Sequence, residues 1–154
     1  MGYYIKMILS TSKIVKVPSA LLLAICMQET GLTNAVHNHD GGSPSIGICQ
    51  VKEATAKGLG YKGTARELKD PQTNIYWAAR YIKYQEGRYG DNWCRVTAAY
   101  NAGSFIESKK NPGYPSNLRY VVGVQKNIAI EYKDRLSCAE IKLADQEPIM
   151  AIDQ

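Results

Sequence analysis

Apolar positions along the 154-residue chain recur mostly at helical spacing, and strand signals are scarce. Tyr3–Val15 reads as a first, weakly patterned helix. Val17-Pro18-Ser19 interrupts it, and Pro18 suits the first turn of a second helix that runs to Thr30 and stops at Gly31. From Leu32 to Gly47 the chain is rich in Asn, Asp, Gly, Ser and Pro, so it reads as a long irregular loop holding at most a tiny hairpin. Val51–Lys57 reads as a short helix closed by Gly58 and Gly60. Asp70-Pro71 is a helix start, with Asp as cap and Pro in the first turn. Ile75, Ala78, Ala79 and Ile82 then share one face, which predicts a helix to Gly87. A further helix spans Asn92–Asn101 and ends at Gly103. Asn111–Pro115 is a turn-rich loop, and a last long helix covers Ser116–Lys133, with Leu118, Val121, Val122 and Ile128 facing the core. From Cys138 onward the pattern dissolves.

These elements predict an all-α fold of about six to eight helices in one domain, residues 1–137, followed by a tail, residues 138–154. No internal repeat or interdomain linker is visible. An apolar content of 45% supports a packed core and argues against wholesale disorder. Tyr is over-used, 11 against 2 Trp and 1 Phe, and its flat body with a polar tip suits a polar binding groove.

The net charge of +5 favours anionic partners. Lys and Arg are scattered, and no zinc finger, basic arm or aromatic RNA-binding motif occurs, so a nucleic-acid partner is not expected. The longest apolar run, Ala20–Met27, falls short of the roughly 18 residues of a membrane span. The N-terminus lacks the pattern of a signal peptide, so the chain reads as soluble and without an export address of its own. Cys26, Cys49, Cys94 and Cys138 stand at long, irregular spacings, and with two His residues no metal or other cofactor is expected. Four Cys permit three pairings, which sequence does not choose among; Cys26, inside an apolar run, reads as a buried free thiol.

Glu29 is the candidate for chemistry. Leu22, Ile25 and Cys26 form an apolar stripe on the second helix, and Glu29 continues it. It also lies at the negative end of the helix dipole. Burial and dipole both favour the protonated carboxyl, the form a general acid needs.

Three further clusters accompany it: Ser45-Ile46-Gly47-Ile48-Cys49-Gln50, Ala99-Tyr100-Asn101-Ala102-Gly103, and Tyr120 near the start of the last helix. With Glu29-Thr30-Gly31 and Asp70-Pro71-x-x-Asn74-Ile75, their order and spacing from Val17 to Tyr132 resemble the soluble lytic transglycosylase family with the goose-type lysozyme fold. The Asp40-Gly41-Gly42-Ser43 stretch looks most like small members that accompany secretion and pilus machines, and bacteriophages carry similar domains. The resemblance implies a lysozyme-like domain that cuts the β-1,4 bond between N-acetylmuramic acid and N-acetylglucosamine in peptidoglycan. It implies Glu29 as the catalytic residue, acid first and then base on the muramyl 6-hydroxyl, giving a 1,6-anhydro product. Thr30, Ser45, Gly47, Gln50, Tyr100 and Asn101 match groove-lining positions, and Tyr120 matches a Tyr whose hydroxyl reaches the catalytic carboxylate.

Three positions depart from the family pattern, Ile48 for the usual Leu among them. Thr30 replaces the usual Ser but keeps the hydroxyl, and Cys49 replaces the Met of Gly-Leu-Met-Gln, which alters packing behind the turn without loss of chemistry. Two-carboxylate glycosidases place their acids about 5–5.5 Å apart for retention or about 6.5–9.5 Å for inversion. Asp40 is the one acid near the motifs that could serve as a second carboxylate in a muramidase. A non-catalytic wall-binding module is the remaining alternative, and an intact Glu29 argues against it. The expected partner is the peptidoglycan glycan strand, met by a monomer at the cell wall after delivery by a phage particle, host lysis or a secretion apparatus.

Overall fold

A computed structural model describes residues 2–37 and 42–138. Among these residues there are six α-helices and one small antiparallel sheet. The chain divides into two compact units, Met1–Tyr84 and Gln85–Gln154.

In the first unit, α1 (Gly2–Val15) and α2 (Ser19–Thr30) pack on each other, and Ile8, Leu21, Leu22, Ala24, Ile25 and Cys26 are fully buried. Pro18 precedes α2 as its N-cap residue in extended conformation, one position outside the first turn expected for it. Gly31 ends α2 at φ 65°, and its N–H donates to Met27 O at 2.8 Å. A left-handed terminator of this kind is easiest for glycine.

The expected loop contains the hairpin: β1 (Val36–His37) pairs with β2 (Ser45–Ile46), and β2 pairs with β3 (Val51–Lys52). The helix expected from Val51 therefore starts two residues late, as α3 (Glu53–Gly58). Val51 and Lys52 find partners in Ile46 and Ser45, a non-local pairing that outweighs local helical spacing. A 3-10 turn, Glu67–Lys69, leads into α4 (Pro71–Tyr89), where Asp70 Oδ2 accepts from Thr73 N at 2.9 Å. The Asp-Pro start thus works as read.

In the second unit, α5 (Trp93–Ala102) begins at Asn92, whose Oδ1 accepts from Arg95 N at 3.0 Å. Its last carbonyls are met by side chains from the end of α4. Buried Gln85 donates to Ala99 O and Gly103 O, and Arg88 donates to Gly103 O at 2.6 Å. A guanidinium at a helix C-terminus also complements the dipole.

The last helix, α6 (Leu118–Asn127), is shorter than expected. Ile128 turns to φ −80°, ψ 149° and buries its side chain, and two 3-10 turns follow to Leu136. Lys133 Nζ then caps Gln125 O at 3.1 Å while Gln125 Nε2 donates to Lys133 O. This reversal brings buried Leu136 and Cys138 back to α5, where Cys138 bonds to Cys94. Cys26 is bonded to Cys49, so no cysteine is free, and the reading of Cys26 as a thiol is corrected. The spacing of the cysteines carried no information on which turns would meet.

No helix among the described residues is long and apolar enough to cross a membrane. Thr97, fully buried on α5, has a hydroxyl with no hydrogen-bond partner among the described residues. An orphaned buried hydroxyl costs about 1–3 kcal/mol. Thr97→Val should therefore raise the thermal midpoint by a few degrees in calorimetry; a fall would show that the hydroxyl is satisfied.

Candidate active site

Glu29 lies in the last turn of α2 and is half-buried, less enclosed than Leu22, Ile25 and Cys26 of the same stripe. The next residue, Thr30, ties the helix end to the following segments. Its Oγ1 donates to Ile48 O at 2.7 Å and accepts from Thr33 N at 3.1 Å. The methyl that distinguishes Thr from Ser does not disturb this hydroxyl role.

Ile48 belongs to the Gly47–Gln50 turn that joins β2 to β3. Gly47 adopts φ 79° and Gln50 φ 55°, both left-handed. Glycine accepts this at little cost, whereas at Gln50 the conformation needs support. Gln50 Nε2 supplies it, donating to Gly47 O at 3.0 Å and Ala35 O at 3.2 Å. Gly47 N also donates to Ala35 O at 2.6 Å. The Gln50 amide nitrogen therefore braces its own turn, and the residue is 9% exposed. Ser45, another predicted groove residue, is buried in β2.

Asn74 on α4 locks the turn from the opposite side. It is fully buried; its Nδ2 donates to Ile46 O at 2.7 Å and Leu68 O at 2.9 Å, and its Oδ1 accepts from Cys49 N at 2.9 Å. A Cβ at position 47 would overlap the Asn74 side chain, so Gly47 is required twice, for φ and for space. The Asp70-Pro71-x-x-Asn74 motif thus has a physical content. Asp70 starts α4, and the first turn of the helix delivers the amide to the Gly47–Gln50 turn. Asn74, Cys26 and Cys49 are site-building residues that the sequence reading did not assign to the site.

Three further described carboxylates of this unit have local partners. Glu53 pairs with Lys57 at 2.8 Å, Glu67 Oε1 accepts from Thr64, and Asp70 caps α4. Asp40 lies outside the described residues. No group of His, Cys, Asp or Glu among the described residues is arranged to hold a metal ion.

In the second unit, Tyr100 and Asn101 occupy the C-terminal turn of α5, with Tyr100 buried and Asn101 exposed. Asn101 Oδ1 accepts from Asn117 Nδ2 at 2.9 Å, and the same amide donates to Ala98 O at 3.0 Å. Asn117, which the sequence reading passed over, therefore orients Asn101. Half-buried Tyr120 lies in the first turn of α6, its N–H bonded to Asn117 O at 3.0 Å. One asparagine thus links Asn101 and the backbone of Tyr120 within this unit.

The chain matches the family model described as the transglycosylase SLT domain over residues 6–118. Protein IpgF of Shigella flexneri is 33% identical over 97 residues, 61% of this chain and 63% of that protein. Invasion protein IagB of Salmonella typhimurium is 31% identical over 100 residues, 62% and 61% of the two chains. The soluble lytic murein transglycosylase of Escherichia coli is 32% identical over 95 residues, 57% of this chain and 14% of the larger enzyme. The chain thus spans under two thirds of the curated relatives it matches. Among solved structures, the 70 kDa soluble lytic transglycosylase of Escherichia coli aligns with a TM-score of 0.58 at 21% identity, covering 86% of this chain and 22% of that one. That likeness shows a shared lysozyme-like fold.

Proposed function

The chain belongs to the transglycosylase SLT domain family, and on that premise we propose that it cleaves peptidoglycan as a lytic transglycosylase with Glu29 as its one acid–base carboxylate. The supporting observation is the placement of Glu29 in the last turn of α2, with Thr30 directly after it bonded to Ile48 O of the Gly47–Gln50 turn. Glu29 is half-buried, and the turn next to it is braced by Gln50 and Asn74.

In this reading Glu29 first donates its proton to the oxygen between N-acetylmuramic acid and N-acetylglucosamine, and the C1–O bond breaks. The substrate's acetamido group stabilises the positive charge at C1. The Glu29 carboxylate then takes the proton of the muramyl 6-hydroxyl as that oxygen bonds to C1. Glu29 is regenerated, no water is consumed, and the product ends in a 1,6-anhydro ring. Intramolecular attack has a large effective-molarity advantage where water is excluded. Thr30, Gly47 and Gln50 shape the wall beside Glu29, with Ser45 in the strand behind them. Tyr100, Asn101 and Tyr120 are assigned to substrate contact.

The domain is taken as residues 1–137, within which the family match falls, and the working unit as a monomer. The two disulfides suit an oxidising compartment such as the periplasm or cell surface, where the wall is found. The net charge of +5 favours approach to an anionic wall. Likeness to a bacterial protein named for invasion supports delivery by a bacterial apparatus over a phage particle. The test is a suspension of purified sacculi. Added protein should lower its turbidity and release soluble glycan. Protein that sediments with intact sacculi and releases nothing would instead select a wall-binding module.

A further inference from the structure

We infer that the Cys26–Cys49 disulfide is a positioning element of the active site, making glycan cleavage conditional on its oxidation. The inference rests on the reading of Glu29 as the catalytic acid. Cys26 precedes Glu29 on α2 by three residues, about one helical turn. Cys49 is the neighbour of Gln50 in the Gly47–Gln50 turn, and both cysteines are fully buried. Thr30, directly after Glu29, binds the same turn through Ile48 O. The turn is therefore fastened to α2 on both sides of Glu29, covalently at Cys26 and by a hydrogen bond at Thr30.

These two anchors act on a different coordinate from two other contacts of the turn. Asn74 sets the internal shape of the turn from α4, and strand pairing of β2 with β3 closes its ends. Both hold the turn to elements other than α2. Removing the disulfide leaves Asn74, the strand pairing and the Thr30 bond in place, so the turn keeps its form but gains freedom relative to Glu29. A displacement of about 1 Å in a catalytic constellation costs on the order of 10²-fold in rate. The second disulfide offers an internal control. Cys94–Cys138 closes the second unit by joining the first turn of α5 to the end of the described chain.

Formation of Cys26–Cys49 removes two protons and two electrons from the thiols, taken up by a disulfide oxidant that is itself reduced to a dithiol. Dithiothreitol reverses the exchange and ends as its cyclic disulfide. The chain would then be weakly active where thiols are kept reduced and fully active in an oxidising compartment.

The experiment measures glycan release from purified sacculi by wild type, Cys26→Ala/Cys49→Ala, Cys94→Ala/Cys138→Ala and Glu29→Gln, with far-UV circular dichroism on each. Removing Cys26–Cys49 should lower kcat about tenfold or more, with little change in KM and an unchanged helical signal. Removing Cys94–Cys138 should lower the thermal midpoint and leave kcat within about threefold. Wild type reduced with dithiothreitol, its free thiols counted, should fall to the rate of the Cys26→Ala/Cys49→Ala variant, which itself should not respond to reductant. Retention of wild-type kcat by the folded double variant overturns the inference. So does loss of rate only in step with loss of helical signal, in the variant or in the reduced wild type, since that is the behaviour of a fold clamp. Glu29→Gln separates the two claims. If it is inert while the double variant is fully active, only the disulfide inference fails; if it stays active, the reading of the site fails first.

Discussion

Glu29→Gln is expected to abolish release of soluble glycan from purified sacculi while the protein stays folded. The amide is nearly the size of the carboxyl, so the packing of half-buried Glu29 at the end of α2 is kept. It cannot release a proton to the glycosidic oxygen, nor take one from the muramyl 6-hydroxyl. Both halves of the reaction therefore fail together. A positioned acid–base group contributes about 10²–10⁴ in rate, and here one group serves both steps, so the loss should reach the upper end or exceed it. Unfolding should shift little, because the substitution exchanges one polar group for another at a partly solvated position. Activity within tenfold of wild type would remove Glu29 from the mechanism.

The largest expected effect on stability comes from Asn74→Ala. Asn74 makes three buried hydrogen bonds, to Ile46 O, Leu68 O and Cys49 N, and no exposed face lets water replace them. Truncation orphans two carbonyls and one N–H and leaves a small void beside Gly47. Each orphaned buried group costs about 1–3 kcal/mol, and relaxation recovers part, which places the total near 3 kcal/mol or more. Activity should fall as well, since the turn beside Glu29 loses its internal lock. Asn74→Asp should not rescue, because it keeps the acceptor for Cys49 N but turns a carboxylate toward two carbonyl oxygens. Chemical denaturation supplies the measurement; a loss under about 1 kcal/mol would mean that the turn holds its shape without Asn74.

Much of this architecture was legible because it is signalled locally. Gly31 ends α2, Asp70-Pro71 starts α4, Asn92 caps α5 and Gly103 closes it, each within a few residues of the element it bounds. The stripe of Leu22, Ile25 and Cys26 is buried as read, whereas Glu29, expected on the same inward face, is only half-buried at the helix end. What escaped was set by distant partners. Val51-Lys52 became a strand through pairing with β2, and α6 broke at Ile128 with neither Gly nor Pro to announce it. The disulfides were equally unreadable, since which cysteines meet depends on how α2 packs against the turn and how the chain returns to α5. Asn74 was visible as part of a motif, but its task appears only with the carbonyls it binds. Asn117 carried no signal at all, although it orients Asn101.

The central claim is that Glu29 acts without a second carboxylate, and the product records this directly. Purified peptidoglycan is digested to completion and the soluble muropeptides are analysed by mass spectrometry. Direct attack by the 6-hydroxyl predicts muramyl ends closed as 1,6-anhydro rings, lighter by one water than hydrolytic products. Reducing muramyl ends as the main product would contradict the account, and inactivity of Asp40→Asn would then identify the second acid of a muramidase.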